Sequence, residues 1–518
     1  MSPDSTLGQT ISHNAIRFPD QPAYVSAGSV LTHGRLRIDA ATIATALSAR
    51  GIRRQDRIAV LDRNTLDFAR VLAAGQLSGI VVATINFRLA APEIVNIMAD
   101  AAPRVLFYGA EYEDMIADVR EELPEVELFV RMGAPDRPAT PGVLNLDALL
   151  AELAEDPPYE ARPDDIACLI YTSGTTGKPK GCILGQHEMH RLALTMNGEM
   201  RSGSADKILL CMPMFHVGAM AMALGIHARG GGAVLHEAFD PAHVLATAAD
   251  EQITVLHLAP TMLAEVVAAA RHDAATLKTV RTVVYSAAPI TSTALAAALE
   301  TMPNVNFMNL YGQTEVITSG LPPELHRTAD TDADARRLRS VGYPFPGTRV
   351  RIVTDSGDDA DPGHPGEITV RCEAMFRGYW NDSVRTAEVL RDGWCHTGDI
   401  GVVDDGLLFL VDRKKDVVIS GGENIYSLEV ENALATHPGI EECAVIGTPD
   451  PRWGEAVTAV IVPAADSHVD ETEIRTFVKT RLAGYKCPRK MYFVPDLPTL
   501  SNGKIDKKAL RATYSIRE

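Results

Sequence analysis

Positive charge is what this sequence lacks most plainly. Its 67 Asp and Glu outnumber 49 Lys and Arg, giving a net charge of -18 over 518 residues. Nucleic acids and anionic membranes need a basic footprint, so neither is expected as a partner. A phosphate ligand stays open, because a few local Lys, Arg and backbone N–H groups suffice to hold one. Cysteine is sparse as well. The seven, Cys168, Cys182, Cys211, Cys372, Cys395, Cys443 and Cys487, are odd in number and never form a Cys-x-x-Cys pair. That usage provides no disulfide framework and no thiolate metal site, and it fits reduced thiols in the cytoplasm. Neither a basic start nor an apolar stretch follows Met1, so no signal peptide is expected. The last residues, Ser515-Ile-Arg-Glu518, are not a peroxisomal address.

Long uncharged runs are also rare. Residues 208–228 carry no Asp, Glu, Lys or Arg and reach membrane-spanning length. Pro213, His216, Gly218 and Gly225 interrupt them, and lipid-exposed irregular backbone is not tolerated. A buried strand, a turn and a short buried helix are expected there, not an integral membrane segment.

The composition, 46% hydrophobic and 22% charged, is that of a globular protein. Its length accommodates about two to four domains. Between about residues 55 and 315, β-rich runs at 58–61, 80–85, 105–108, 166–171, 208–211, 255–258 and 283–286 alternate with helical patterns such as 67–77 and 241–251. Alternation of this kind predicts doubly wound parallel sheets with helices on both faces. Past Ser340, short alternating strands at 349–353, 367–371 and 407–411 predict a small antiparallel, β-barrel-like subdomain. The charged cluster Asp412-Arg-Lys-Lys-Asp416 then reads as a solvated linker to a small α+β domain. The expected division is 1–411, a hinge at 412–416, and 417–518.

One motif carries chemistry on its own terms: Tyr171-Thr-Ser-Gly-Thr-Thr-Gly-Lys-Pro-Lys-Gly181. An apolar strand runs into small hydroxyl residues, glycines and two lysines. Glycines let N–H groups approach phosphate oxygens, hydroxyls add donors, and lysines neutralise charge. The spacing of Gly174 and Gly177 is not that of a Walker loop. A phosphate-binding loop explains this stretch better than a flexible surface turn.

This loop resembles the signature of the adenylate-forming superfamily: acyl- and aryl-CoA synthetases, luciferases and the adenylation domains of peptide synthetases. Tyr311-Gly-Gln-Thr-Glu315, Thr397-Gly-Asp399, Asp412 to Asp416 and Asn502-Gly-Lys504 resemble that family's later motifs, in its order. The likeness spans nearly the whole chain.

The resemblance implies ATP, Mg²⁺ and coenzyme A as ligands. Thr172, Ser173, Gly174, Thr175, Thr176, Gly177, Lys178 and Lys180 would surround the phosphates. Glu315 would hold Mg²⁺, Thr314 would donate to the α-phosphate, and Tyr311 with Gly312 would face adenine. Ala287, Ala288 and Pro289 would line the adenine and acyl pockets. Asp399 would accept both ribose hydroxyls, and Arg413 would reach ribose or phosphate. Lys504 would stabilise charge as the carboxylate attacks. His216 would gate an acyl pocket lined by Met214, Ala219, Met220, Ala287, Ala288 and Gly320, although a lone His among apolar residues is ordinarily a core group. Gly421, Gly422 and Glu423 would meet coenzyme A. Trp453 is either a stacking face for its adenine or a domain-core tryptophan. Asp412 would be the hinge that lets the small domain serve two half-reactions.

The activity so implied is acid–thiol ligation: a carboxylic acid becomes an acyl-AMP, then a thioester of coenzyme A. His216 stands where amino-acid-activating relatives commonly carry Asp, which argues against an amino-acid substrate, and no carrier domain is seen after Glu518. Loading of a separate carrier protein, luciferase-like oxygenation and a non-catalytic nucleotide-binding homologue are the alternatives. An apolar pocket of mostly small residues, with no Arg or Lys placed for a second carboxylate, suggests a medium-size aliphatic or aromatic monocarboxylate. Oligomeric state is not legible, and a homodimer is left open.

Overall fold

A computed structural model describes the chain except residues 1–4, 134–139, 173–178, 272–273, 327–330, 422, 466, 468, 501–503 and 516–518. It divides into two compact units: Met1–Arg349 with Val370–Cys395, and Val350–Thr369 with His396–Glu518.

The first unit contains two large sheets. In the seven-stranded sheet, Val143–Asn145, Leu128–Met132, Val105–Gly109, Arg57–Leu61, Val81–Ile85 and Ile166–Thr172 run parallel in that order, and Lys180–Gly185 closes the edge antiparallel. In the nine-stranded sheet six neighbours are parallel: Asn306–Gln313, Thr282–Ser286, Val255–Leu258, Lys207–Leu210, Gly232–Leu235 and Pro22–Ser26. Antiparallel strands Val316–Gly320 and Ser29–Thr32 flank them. Most of these strands are near-continuous apolar runs because both faces are covered. Ile58, Ala59, Val60 and Leu61, for example, are all completely buried.

Helices between the strands start and stop on local chemistry. Leu66–Ser78 is capped by the Thr65 hydroxyl, which accepts the Phe68 N–H, and ends on Gly79 at φ 75°. The uncharged stretch at 208–228 resolves into strand Lys207–Leu210, a turn and the buried helix Val217–His227. Among the described residues, no helix is long and apolar enough to cross a membrane.

The second unit holds most of a five-stranded sheet in which Arg349–Val353, Gly366–Arg371 and Trp394–Asp404 follow in that order and Leu407–Arg413 pairs antiparallel with Trp394–Asp404. An α+β layer follows. Strands Glu423–Ile425, Val418–Ser420, Gly454–Pro463 and Ile440–Asp450 form its sheet, with Lys490–Phe493 parallel to Gly454–Pro463. Val445, Val457, Ala459 and Ile461 build one core and Ala444, Ile446, Val460 and Leu510 another, as alternation along a strand requires when both sheet faces are covered.

The charged cluster departs from its expected solvated state. Arg413, Lys414 and Lys415 are exposed, but Asp412 and Asp416 are buried at 4% and 7% exposure. Asp412 is the penultimate residue of strand Leu407–Arg413 and accepts hydrogen bonds from the Ser427 N–H and hydroxyl, while Asp416 pairs with Arg511. Buried carboxylates need such partners, and here they lie 15 and 95 residues along the chain.

Candidate active site

Four neighbouring parallel strands of the nine-stranded sheet, Lys207–Leu210, Val255–Leu258, Thr282–Ser286 and Asn306–Gln313, end at one edge. Their carboxyl ends lead into His216, Ala259, Ala287 to Pro289, and Thr314 with Glu315. The sheet therefore brings together segments of the expected acyl, adenine and metal sites, where open parallel sheets bind ligands.

Thr314 and Glu315 form the tight turn between strands Asn306–Gln313 and Val316–Gly320, with Gln313 paired to Val316. Gly312 has to be glycine, because a Cβ there would lie 2.6 Å from the Ile317 Cα. Tyr311 and Thr314 are half-buried. Glu315 is buried, and its Oε1 accepts the Tyr379 hydroxyl at 2.6 Å. Ala287, exposed with Ala288 and Pro289, has φ 76°. A left-handed alanine costs about 1–3 kcal/mol, a strain that clusters at functional sites.

On the expected acyl side, His216 is half-buried at the start of helix Val217–His227, its ring 4.3 Å from that of Phe215. Met214, Ala219 and Met220 are each 1% exposed. Gly320 is buried, and a Cβ there would meet the Asn309 carbonyl at 2.6 Å, so close packing alone accounts for this glycine.

Sequence reasoning missed two residues here. His257 is fully buried and shares a 2.8 Å hydrogen bond with the Ser286 hydroxyl; desolvation holds it at about 4, hence neutral. Its one sequence signal was a polar residue inside Val255-Leu-His-Leu258. Asn64 ties the carboxyl ends of the two sheets together. Its Nδ2 donates to the carbonyls of Leu210, Met212 and His236, and its Oδ1 accepts the Met214 N–H at 2.8 Å.

Thr172 and Lys180 pair across strands Ile166–Thr172 and Lys180–Gly185, which frame the phosphate-loop motif. Ser173, Gly174, Thr175, Thr176, Gly177 and Lys178 lie outside the described residues. Half-buried Lys180 has its Nζ 5.0 Å from the centre of the Tyr379 ring. Tyr379 was also missed; it lies 64 residues from Glu315, a separation no local pattern reports.

Asp399 and Arg413 face each other across strands Trp394–Asp404 and Leu407–Arg413 of the second unit, with Nε 3.5 Å from Oδ1. The loop carrying Lys504 is held by the Leu500 N–H on the Lys504 carbonyl at 2.7 Å and by a Thr499–Ile505 bridge. Lys504 keeps solvent contact, yet its ammonium is held down to about 8. Desolvation is the largest cause, Arg413 and Lys415 add to it, and Asp399 opposes. Asp399, Arg413 and Lys504 thus share one electrostatic neighbourhood.

Gly421, at φ 64°, donates its N–H to the Trp453 carbonyl, and a Cβ on it would lie 2.9 Å from the indole. Trp453 is half-buried and belongs to neither core of this unit. Arg452 and Arg489 lie 4.7 and 4.4 Å from its ring. Glu423 is exposed; Gly422 lies outside the described residues.

Among the described residues no three His, Cys, Asp or Glu side chains form a metal cluster. A buried carboxylate held by Tyr379, whose ring lies beside the Lys180 ammonium, fits Mg²⁺ arriving with a nucleotide, since that ion takes one or two carboxylates, phosphate oxygens and waters. Glu315 would hold it, where it would neutralise phosphate charge.

Known proteins resemble this chain over nearly its full length. The family described as AMP-binding enzyme matches residues 11–380, and AMP-binding enzyme C-terminal domain matches 429–504. A feruloyl-CoA synthase of Amycolatopsis sp is 36% identical over 512 residues, 98% of this chain and 99% of that protein. A fatty acid–[acyl-carrier-protein] ligase of Streptomyces coeruleorubidus is 34% identical, covering 98% and 96%. The solved structure of the amide bond synthetase McbA from Marinactinospora thermotolerans superposes with a TM-score of 0.85 at 32% identity, covering 98% of this chain and 100% of that one.

Proposed function

This chain belongs to the AMP-binding enzymes, the adenylate-forming superfamily, and is an acid–thiol ligase; on that premise we propose that it activates a monocarboxylic acid with Mg·ATP and transfers the acyl group to coenzyme A. The supporting observation is the set of four strand ends that present His216, Ala259, Ala287 to Pro289 and the Thr314–Glu315 turn at one sheet edge.

In the first half-reaction the acid's carboxylate attacks the α-phosphorus and pyrophosphate leaves. Thr314 donates to the α-phosphate, Lys180 offsets phosphate charge, Asp399 takes the ribose hydroxyls, and Lys504 stabilises the charge that develops in the transition state. In the second, the thiol attacks the acyl carbon and AMP leaves. Asp412 is the hinge between the two, and Gly421, Glu423 and Trp453 meet coenzyme A. Met214, Ala219 and Met220 give the acid an apolar surround, for which a medium-size aliphatic or aromatic acid is the match. Such pockets separate homologues by only about 1–3 kcal/mol per methylene, so several acids are expected to react.

We expect acid-dependent exchange of pyrophosphate into ATP, with AMP as the nucleotide product. Turnover of any acid that yields ADP and phosphate sinks the reading. A panel of carboxylic acids offered with coenzyme A identifies the substrate. The likeness to a fatty acid–[acyl-carrier-protein] ligase favours a second acceptor, a carrier protein's phosphopantetheine thiol. Parallel assays with coenzyme A and with an unacylated, phosphopantetheine-bearing carrier protein decide between them by the ratio of kcat/KM.

A further inference from the structure

A buried phenol lies between the Glu315 carboxylate and the Lys180 ammonium, and neither half-reaction makes use of it. We propose that Tyr379 is a positioning residue, fixing the Glu315 carboxylate for the metal and registering it with Lys180. This rests on the reading of Glu315 as the Mg²⁺ ligand.

Glu315 sits in a tight turn, and a side chain there keeps rotational freedom unless something holds it. The Tyr379 hydroxyl does so, donating to Oε1 at 2.6 Å from a residue that is only 5% exposed. The same ring lies 5.0 Å from the Lys180 ammonium, so one side chain touches both charged groups.

The backbone around Tyr379 is fixed just as firmly. The Phe376 N–H donates to the Glu315 carbonyl at 2.8 Å. Arg377 and Ile183, Gly378 and Ile183, and Trp380 and Gly181 are joined by backbone hydrogen bonds of 3.0, 2.9 and 2.7 Å, and Cys182 bridges Tyr379. The Tyr379 N–H is bound by the Thr386 hydroxyl at 2.8 Å. The segment therefore stitches the Glu315 turn of one sheet to the strand Lys180–Gly185 of the other. A partner that orients a metal ligand commonly controls metal affinity without touching the ion.

Tyr379→Phe keeps the ring, its packing and its face toward Lys180, and removes only the donor. The Mg²⁺ concentration for half-maximal pyrophosphate exchange is expected to rise about tenfold, the lower end of the range for such partners. Mn²⁺ affinity in the presence of α,β-methylene-ATP, read by electron paramagnetic resonance, should fall by the same factor. At saturating Mg²⁺, kcat should stay within about twofold of wild type, as expected when only ground-state metal binding is lost.

Glu315→Gln is the control for the underlying reading. If it leaves Mn²⁺ affinity unchanged, Glu315 is not the ligand and the proposal falls with it. Should Glu315→Gln weaken Mn²⁺ binding while Tyr379→Phe does not, the tyrosine alone is misassigned. A lowered melting temperature with unchanged metal affinity assigns Tyr379 to packing and overturns the proposal. In the double variant, the Tyr379 effect should vanish; a fully additive loss also overturns it.

Discussion

Replacing Lys504 by alanine is expected to lower acyl-AMP formation by at least about 10²-fold, the usual loss for one preorganised charge-stabilising group. Conversion of supplied acyl-AMP and coenzyme A to thioester should stay near the wild-type rate. The first half-reaction builds charge between the carboxylate and the α-phosphate, and on the proposed reading Lys504 acts in that step alone. Its surroundings suit that role, since Arg413 and Lys415 crowd it with like charge while Asp399 opposes them. An ammonium held near 8 remains charged at neutral pH and loses its proton within reach of ordinary buffers.

The stabilising charge is present below about 8 and is lost as pH rises through that value, so adenylation should decline on the alkaline side. The thioester step assayed from supplied acyl-AMP should not share that decline. Single-turnover quench measurements on each half-reaction separate the two. An equal loss in both steps for Lys504→Ala would mean that the lysine supports structure, not charge development.

The second large effect is expected from Asp412→Pro: adenylation survives while thioester formation from preformed acyl-AMP slows strongly. A hinge works by a large change of φ or ψ at a few residues. Proline fixes φ near about -65° and restricts the preceding residue as well. Asp412 has a second role that could mimic this result. Its carboxylate takes the Ser427 N–H at the start of helix Ser427–Leu434, whose own N-cap residue, Tyr426, makes no side-chain cap. Lys507 donates to the Ser427 hydroxyl at 2.7 Å and pairs with Glu431 at 2.7 Å, so the aspartate anchors a buried network.

Asp412→Ala separates the two roles. It removes the carboxylate, at a cost of about 0.5–2 kcal/mol for a lost cap, but leaves the backbone free. The alanine variant should melt earlier and still complete both half-reactions. If proline and alanine variants make thioester at the same rate, Asp412 is a cap and not a hinge.

Much of the scaffold was legible in the sequence. The strand runs read at 58–61, 105–108, 166–171 and 255–258 agree with the strands formed to within a residue at each end. Parallel strands covered on both faces appear as short continuous apolar runs, and that signal is local. So is the capping chemistry of the helices between them. The phosphate-loop motif, the Tyr311-to-Glu315 segment and the Asn502-Gly-Lys504 segment stand out in the sequence because each gathers its glycines, hydroxyls and charged residues within a few consecutive positions.

Only the tertiary structure decided who meets whom. Local pattern told neither that strand Pro22–Ser26 pairs with Gly232–Leu235 nor that Asn64 reaches Leu210, Met212 and Met214. His257 and Ser286, like Tyr379 and Glu315, come from different elements and become neighbours through sheet order and chain path. The charged cluster shows the reason most clearly. Its lysines and arginine behave as sequence predicts, facing water, but Asp412 and Asp416 are buried because Ser427 and Arg511 are folded against them. Sequence periodicity reports which face of an element is apolar. Whether a polar group on it is buried depends on a partner delivered from far along the chain, and that is fixed only when the sheets assemble.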